Sequence, residues 1–373
     1  MKINKYTLIF LIYFSLNAGT TYGQNTTTWT IFRGDRQLTG FSKARVLTPM
    51  KLLWTFQTED AIVAAPIIAE NNVFVSSIDG KLYALDLKGN LRWSYETDNS
   101  IEAPPFYDDG KVLVGNLSGY LYALNAKTGE LIWKYETENQ IMGSPNQFTL
   151  NGKSYLVVGS YDYFLHCVDA STGKAVWKYE SDNFVNGAAA IGMNAALFGG
   201  CDGFLHVVNL SNGTLRQKIT VATYIAGSVA VSDQLVYTGD YDGQFSCINL
   251  EKGDLTWKWN NPKSNLPILG SPSITEDKVV IGGQDKYVRC FNRYDGTLYW
   301  SFNAGGRIDA SPVIARDKVI IVTMDGMLYV LDISTGEEIW FYEIGSAIAH
   351  NPAVINGHII LGARDGNVYF FGR

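Results

Sequence analysis

Apolar residues in this chain fall in short bursts separated by polar turns, and no burst after the first twenty residues is long. The stretch from Ser311 to Tyr342 shows the plan. Pro312-Val313-Ile314 reads as a short strand, and Lys318 to Thr323, rich in Val and Ile, as a second. Asp325-Gly326 supplies a tight turn, Met327 to Leu331 a third strand, Thr335-Gly336 another turn, and Glu338 to Tyr342 a fourth strand. Four short strands joined by Gly/Asp turns within about 40 residues describe one blade of a β-propeller.

The unit recurs. Trp54, Trp93, Trp133, Trp177, Trp257, Trp300 and Trp340 return at steps of 39 to 44 residues once Gln217 is counted in the one vacant slot. A second marker runs in phase: Asp79, Ser118, Asp162, Asp202, Asp242, Asp285, Asp325 and Asp365, most of them followed by Gly. Tryptophan and next marker stand 25 residues apart except before Asp162 and Asp285, where they stand 29 and 28 apart, so insertions fall in two places only. Eight markers predict an all-β, eight-bladed propeller of four-stranded antiparallel blades. The last unit ends at Phe370-Phe371-Gly372-Arg373 without a fourth strand, while Lys51 to Phe56 looks like a fourth strand placed before any complete blade. Pairing the two closes the ring and leaves no open sheet edge between first and last blades.

A large flat indole opening each outer strand, beside a turn glycine, is suited to fill the wedge between neighbouring blades. Gln217 then marks a weaker joint. Cys167, Cys247 and Cys290 occupy one slot, five residues after the marker, where other units carry Ala84, Ala123, Val207 and Val330. They read as small apolar core groups, not as a disulfide framework or a metal site. Cys201 sits on a connection and is the one expected near the surface.

Lys2 and Lys5 precede an apolar core from Leu8 to Leu16, too short to span a bilayer, and Thr21-Tyr22-Gly23 offers small residues for cleavage before Gln24. We therefore expect a signal peptide over 1–23, an extension over 24–50 and the propeller over 51–373. The leader has no cysteine for a lipid anchor, so the expected product is exported, periplasmic or extracellular, soluble and not lipid-anchored. Loss of the two lysines moves the formal net charge from −6 to −8, and no basic stripe compensates, which disfavours nucleic acid as a partner.

The residues around each tryptophan repeat a pattern. Ala123 to Trp133 reads Ala, one residue, Asn125, two residues, Thr128-Gly129, three residues, Trp133; Cys167 to Trp177 and Val330 to Trp340 repeat it around Asp169 and Asp332. This resembles the tryptophan-docking motif of pyrroloquinoline-quinone-type (PQQ-like) propeller repeats, from about Trp29 to the end of the chain. Trp29 to Asp35 is similar to the segment that precedes the first blade in these families. The resemblance implies one of two roles: quinoprotein dehydrogenase, or barrel-assembly propeller of the BamB-like kind, for which a protein partner is implied.

In a propeller, chemistry gathers at the mouth of the central channel, on the segments leading into the innermost strands. Here those segments begin with Ile or Val, which reads as packing, and then vary: Val63, Glu102, Met142, Asn186, Ala226, Leu269, Asp309 and Ala349. Arg307 and His350 lie in the same segments. The residues just before the markers, among them Tyr161, Tyr241, Gln284 and Arg364, share that face, and Tyr224 lies near it. The resemblance implies that Glu102 and Asn186 would stand where quinoproteins hold calcium, with Asp309 as the base. Against this, the slots after Asn186 carry Ala226 and Leu269 instead of an acid, no two cysteines are adjacent, and long roofing insertions are missing. His166 and His206 share a slot filled elsewhere by Tyr83, Tyr122, Tyr329 and Tyr369, so inter-blade packing is favoured over a zinc site. No nucleophile motif is present.

The reading is a monomeric binding or scaffold propeller that engages a protein or peptide, in envelope or outer-membrane protein assembly, with no resident cofactor expected. The alternatives are a small PQQ- and calcium-dependent dehydrogenase, and a carbohydrate or surface-adhesion module using Tyr161, Tyr224 and Tyr241.

Overall fold

The computed structural model describes residues 27–221 and 224–373; the expected signal peptide over 1–23 lies outside them. The described residues form eight antiparallel four-stranded sheets, and the seventh gains a short fifth strand. Blades 1 to 7 span residues 67–96, 106–136, 146–180, 190–220, 230–260, 273–303 and 313–343, each running from inner to outer strand in chain order. Blade 8 takes three strands from residues 353–372 and its outer strand from Lys51–Gln57, which pairs antiparallel with Asn367–Gly372. The ring closes as the sequence implied.

Most outer strands alternate exposed with half-buried residues, as Leu91–Glu96 does, while the two middle strands are almost wholly buried. This is the period-2 pattern of strands sandwiched between neighbouring sheets. The indoles join the blades. Trp54, Trp93, Trp133, Trp177, Trp257 and Trp300 each donate Nε1–H to a carbonyl of the next blade, at 2.9–3.3 Å. The ring then lies flat on that blade's turn glycine, not on its own. A Cβ on Gly89, Gly129, Gly173, Gly213, Gly296 or Gly336 would fall 2.5–2.8 Å from the indole, and all six have positive φ, so the position needs glycine twice over. Gln217 keeps the hydrogen bond, Nε2 to Leu250 O at 3.0 Å, but leaves Gly253 uncovered: a Cβ there would find its nearest neighbour, Gln217 Nε2, 3.8 Å away. Trp340, facing the seam of blade 8, packs on Phe371 instead.

The four-residue insertion before Asp162 lengthens a hairpin, not a loop. Blade 3 has an inner strand of five residues, Asn146–Leu150, and a second strand of seven, Lys153–Gly159, where blade 2 has Phe106–Asp108 and Lys111–Gly115. The other insertion falls in the connection between blades 5 and 6.

The extension before the ring is its hub. Residues 29–45 run round the inside of the channel in blade order. Trp29 pairs with Ile68 of blade 1, and carbonyls of Thr30, Arg36, Gln37, Thr39 and Gly40 accept from amides of the inner strands of blades 2, 4, 5, 6 and 7. Phe41–Ser42 adds a parallel strand to blade 7, and Arg45 reaches the first hairpin turn of blade 8. Arg33 is fully buried at the centre, and its guanidinium donates to Pro272 O (2.6 Å), Ser273 Oγ (2.7 Å) and Pro312 O. Burial lowers its pKa to about 9, with Asp35 opposing, so it stays charged at neutral pH.

Candidate functional site

One residue pair per blade shapes the channel mouth. Ile62, Ile101, Ile141, Val185, Ile225, Ile268, Ile308 and Ile348 are all buried. Several press on a glycine at the end of a neighbouring strand: a Cβ on Gly115, Gly159, Gly199, Gly239, Gly282 or Gly362 would sit 2.1–2.5 Å from one of these side chains. With that residue pinned outward, the next one turns toward the axis. Val63, Glu102, Met142, Asn186, Ala226, Leu269, Asp309 and Ala349 consequently line one cavity of about 310 Å³, with Phe32 of the hub among its walls. Because the hub fills the channel on that side, the cavity is a cup and not a pore.

Of the ten predicted site residues, Glu102, Asn186, Asp309, His350 and Arg364 line the cup. The other five stand outside the lining, and several of them hold those that line it. Arg307 pairs with Asp309 at 2.8 Å, and Gln284 donates to the other oxygen of Asp309 at 3.0 Å. Tyr161 donates to Asn186 Oδ1 at 2.8 Å and stacks on Phe184, which stacks in turn on Tyr163. Tyr224 and Tyr241 form an edge-to-face pair, and Tyr224 is hydrogen-bonded to Cys201. Tyr241 is 53 % exposed. Cys201 is half-buried where the sequence suggested exposure, and burial raises its thiol pKa, so it is not poised as a thiolate.

The oxygen groups at the mouth are therefore engaged separately, Asp309 by Arg307 and Gln284, Asn186 by Tyr161. Glu102 lies two blades from Asn186. His350 packs edge-on to Phe32 in the cup wall, and enclosure together with Arg364 lowers its pKa to about 4, so the ring is neutral at pH 7. The Arg364 guanidinium is exposed at the cup. Among the described residues, no three His, Cys, Asp or Glu side chains converge as a metal site.

His166 and His206 lie elsewhere, fully buried within blades 3 and 4. Nε2 of each donates to the marker carboxylate, Asp162 (2.9 Å) or Asp202 (3.0 Å), and Nδ1 lies in hydrogen-bond contact with the Tyr135 or Tyr179 hydroxyl at 2.9 Å. They replace the tyrosines that reach Asp79 and Asp365 in other blades. Phe32, and the hub with it, is the part of the site that the repeat pattern could not locate, because residues 29–46 carry no repeat phase.

A family model described as outer membrane protein assembly factor BamB matches residues 33–140, 99–224, 148–286 and 284–372. The chain belongs to this family of PQQ-type repeat propellers. Among curated proteins, none matches it in sequence. BamB from Moraxella catarrhalis is similar in structure, with a TM-score of 0.72 at 21 % identity, over 87 % of this chain and 98 % of that one. A europium-containing methanol dehydrogenase superposes with a TM-score of 0.79 at 13 % identity, over 94 % and 99 %. So does the computationally designed Ika8 protein, at 0.77 and 20 % identity, over 87 % and 100 %. An enzyme, an assembly factor and a designed ring all share the architecture, so these likenesses establish the fold alone. Among the described residues of this BamB-family chain, no helix is long and apolar enough to cross a membrane.

Proposed function

We propose that this chain is an exported binding scaffold that engages a protein or peptide partner over the face bearing the cup, in the assembly of envelope or outer-membrane proteins. The observation that carries this reading is the mutual engagement of the mouth residues. Asp309 is held by Arg307 and Gln284, and Asn186 by Tyr161, so they form a fixed polar lip and do not converge on one ligand. Around that lip stand the exposed Tyr163 and Tyr241 and the Arg364 guanidinium, residue types that anchor protein interfaces. The family match supports the assembly role.

The rival is a calcium- and PQQ-dependent oxidoreductase at the same cup. Glu102 and Asn186 would hold calcium, Asp309 would serve as the base, and the quinone would supply the redox chemistry. The engagement of Asn186 Oδ1 by Tyr161, and of Asp309 by Arg307 and Gln284, weighs against this fit, since calcium needs several free oxygens turned to one point and a base needs a free carboxylate. Two measurements separate the readings. Affinity capture from an envelope extract is expected to retain a partner on the wild-type protein and lose it on a Tyr163→Ala, Tyr241→Ala, Arg364→Glu variant; equal retention would count against the scaffold. Addition of calcium and PQQ is expected to give no dye-linked alcohol or sugar oxidation, and turnover would establish the rival.

A further inference from the structure

The strands of each blade run up and down, so the first hairpin turns of the blades lie on the face opposite the cup. A larger cavity of about 850 Å³ opens there between the hub and blades 2, 3 and 4. Its apolar walls include Phe106, Phe148, Ile191 and Leu210, with Met193 at the lip, 42 % exposed. Blade 3 stands at its centre.

Among the described residues, blade 3 is the one blade that the hub does not serve through its backbone. In blades 1, 2, 4, 5, 6 and 7 an inner-strand amide donates to a hub carbonyl, and in blade 8 the Gly357 amide donates to Arg45 O. In blade 3 that backbone bond is replaced by a side-chain contact, Asn146 Nδ2 donating to Arg36 O at 2.8 Å. The Gln147 amide, equivalent to the Tyr107 amide that reaches the hub in blade 2, turns instead to Asn146 Oδ1. Alternation along the strand then places the Thr149 amide on the same inner edge, and Thr149 lines the cavity. The blade-3 insertion is what carries the strand this far, so the longest inner strand of the ring is the one left with an open edge. Trp29, also in the cavity wall, is buried with no acceptor for its Nε1–H among the described residues.

We propose that this slot is a second binding site, which takes an extended peptide segment of another protein as an added strand on the inner edge of Asn146–Leu150. The hub shows the chemistry wanted, since it meets six equivalent edges with main-chain carbonyls, and the slot continues that interface across the blade it skips. Alternate side chains of the peptide would point between Phe106, Phe148, Ile191 and Leu210, which selects apolar residues at every second position.

The test uses the full-length protein and fluorescein-labelled seven-residue peptides in which Thr alternates with Phe, Leu or Val, read by fluorescence anisotropy. At least one peptide is expected to bind saturably below about 1 mM. Its N-methylated counterpart, which cannot complete a ladder, should bind at least tenfold more weakly. Thr149→Pro removes the edge donor at an exposed position, and Met193→Asp places a charge in the slot at a turn residue whose positive φ suits Asp. Each should weaken binding tenfold or more with an unchanged melting curve, whereas Arg364→Glu on the opposite face should leave it unaltered. Hydrogen exchange at the Thr149 amide should slow when peptide is added. No saturable binding by any peptide, equal binding of the N-methylated form, or unchanged Thr149 exchange would overturn the proposal. So would sedimentation showing a dimer that Thr149→Pro dissociates, since the occupant would then be a second copy. Because Arg364 and the aromatic lip lie on the other face, failure here leaves the cup reading standing, and the reverse holds too.

Discussion

The indole slot shows how much one side chain does in a ring of repeats. Six tryptophans combine a hydrogen bond with ring-on-glycine packing, and Gln217 retains only the first. Gln217→Trp is therefore expected to stabilise the joint between blades 4 and 5 by about 1–2 kcal/mol, at roughly 25 cal/mol per Å² of newly covered apolar surface. A rise of a few degrees in Tm by calorimetry would bear this out, and a fall would mean that the Gly253 turn cannot admit the ring. At the cup, His350 imposes a pH dependence. Its folded pKa, about 4, lies below the ordinary histidine value, so the unfolded chain binds the proton more readily between about pH 6.5 and 4. Stability from this source is complete above that window and is lost as pH falls through it. Burial depresses buried His206 in the same direction. Thermal unfolding should thus show a lower Tm at pH 5 than at pH 7, and His350→Gln should reduce the difference without abolishing it. An identical loss in the variant would place the sensitivity elsewhere. These residue-level features were unevenly legible. The tryptophan slot stood out by its period, but its stacking partner, the glycine of the next blade, is a contact between units that no single unit displays.

At the scale of elements, the decisive one is the strand Lys51–Gln57. Its alternation of exposed and half-buried residues matches the other outer strands, and its ladder with Asn367–Gly372 joins positions more than 300 residues apart. Removing residues 51–57 should leave the last blade with three strands and an open edge facing solvent. The expected outcome is a broad, non-cooperative melt with increased aggregation; a sharp transition at the wild-type temperature would show that ring closure does not depend on this strand. This element was readable beforehand, because the last unit visibly lacked a strand and the first segment visibly had one to spare. The blade-3 insertion was readable only as a number. Whether four extra residues form a loop or a longer hairpin depends on whether Phe148 and Tyr155 find partners to pack against, which they do in each other, stacked at 5.4 Å.

At the scale of the molecule, the hub turns a perforated ring into a body with two separate concavities, a cup of about 310 Å³ and a slot of about 850 Å³. The hub also ties together strands that the repeat plan leaves unconnected at the axis. Arg33 helps bridge blades 6 and 7 by donating to Pro272 O and Pro312 O, the second of which also accepts from Ser273 Oγ.

The sequence by itself determined the ring: blade number, strand order, the joint residues, the closing strand, and the eight positions that face the axis. It did so because a repeat states each local rule many times over, and a position that recurs in eight units must point the same way in all of them. Only the tertiary structure decided where residues 29–46 lie, which lip residues grip one another, and that blade 3 is passed over. Those contacts bring together single, unrepeated residues distant in the chain, such as Arg33 with Pro272 and Pro312. Nothing in the local pattern of either partner encodes the other; they meet only because a closed ring leaves one narrow axial space for an extended strand to fill.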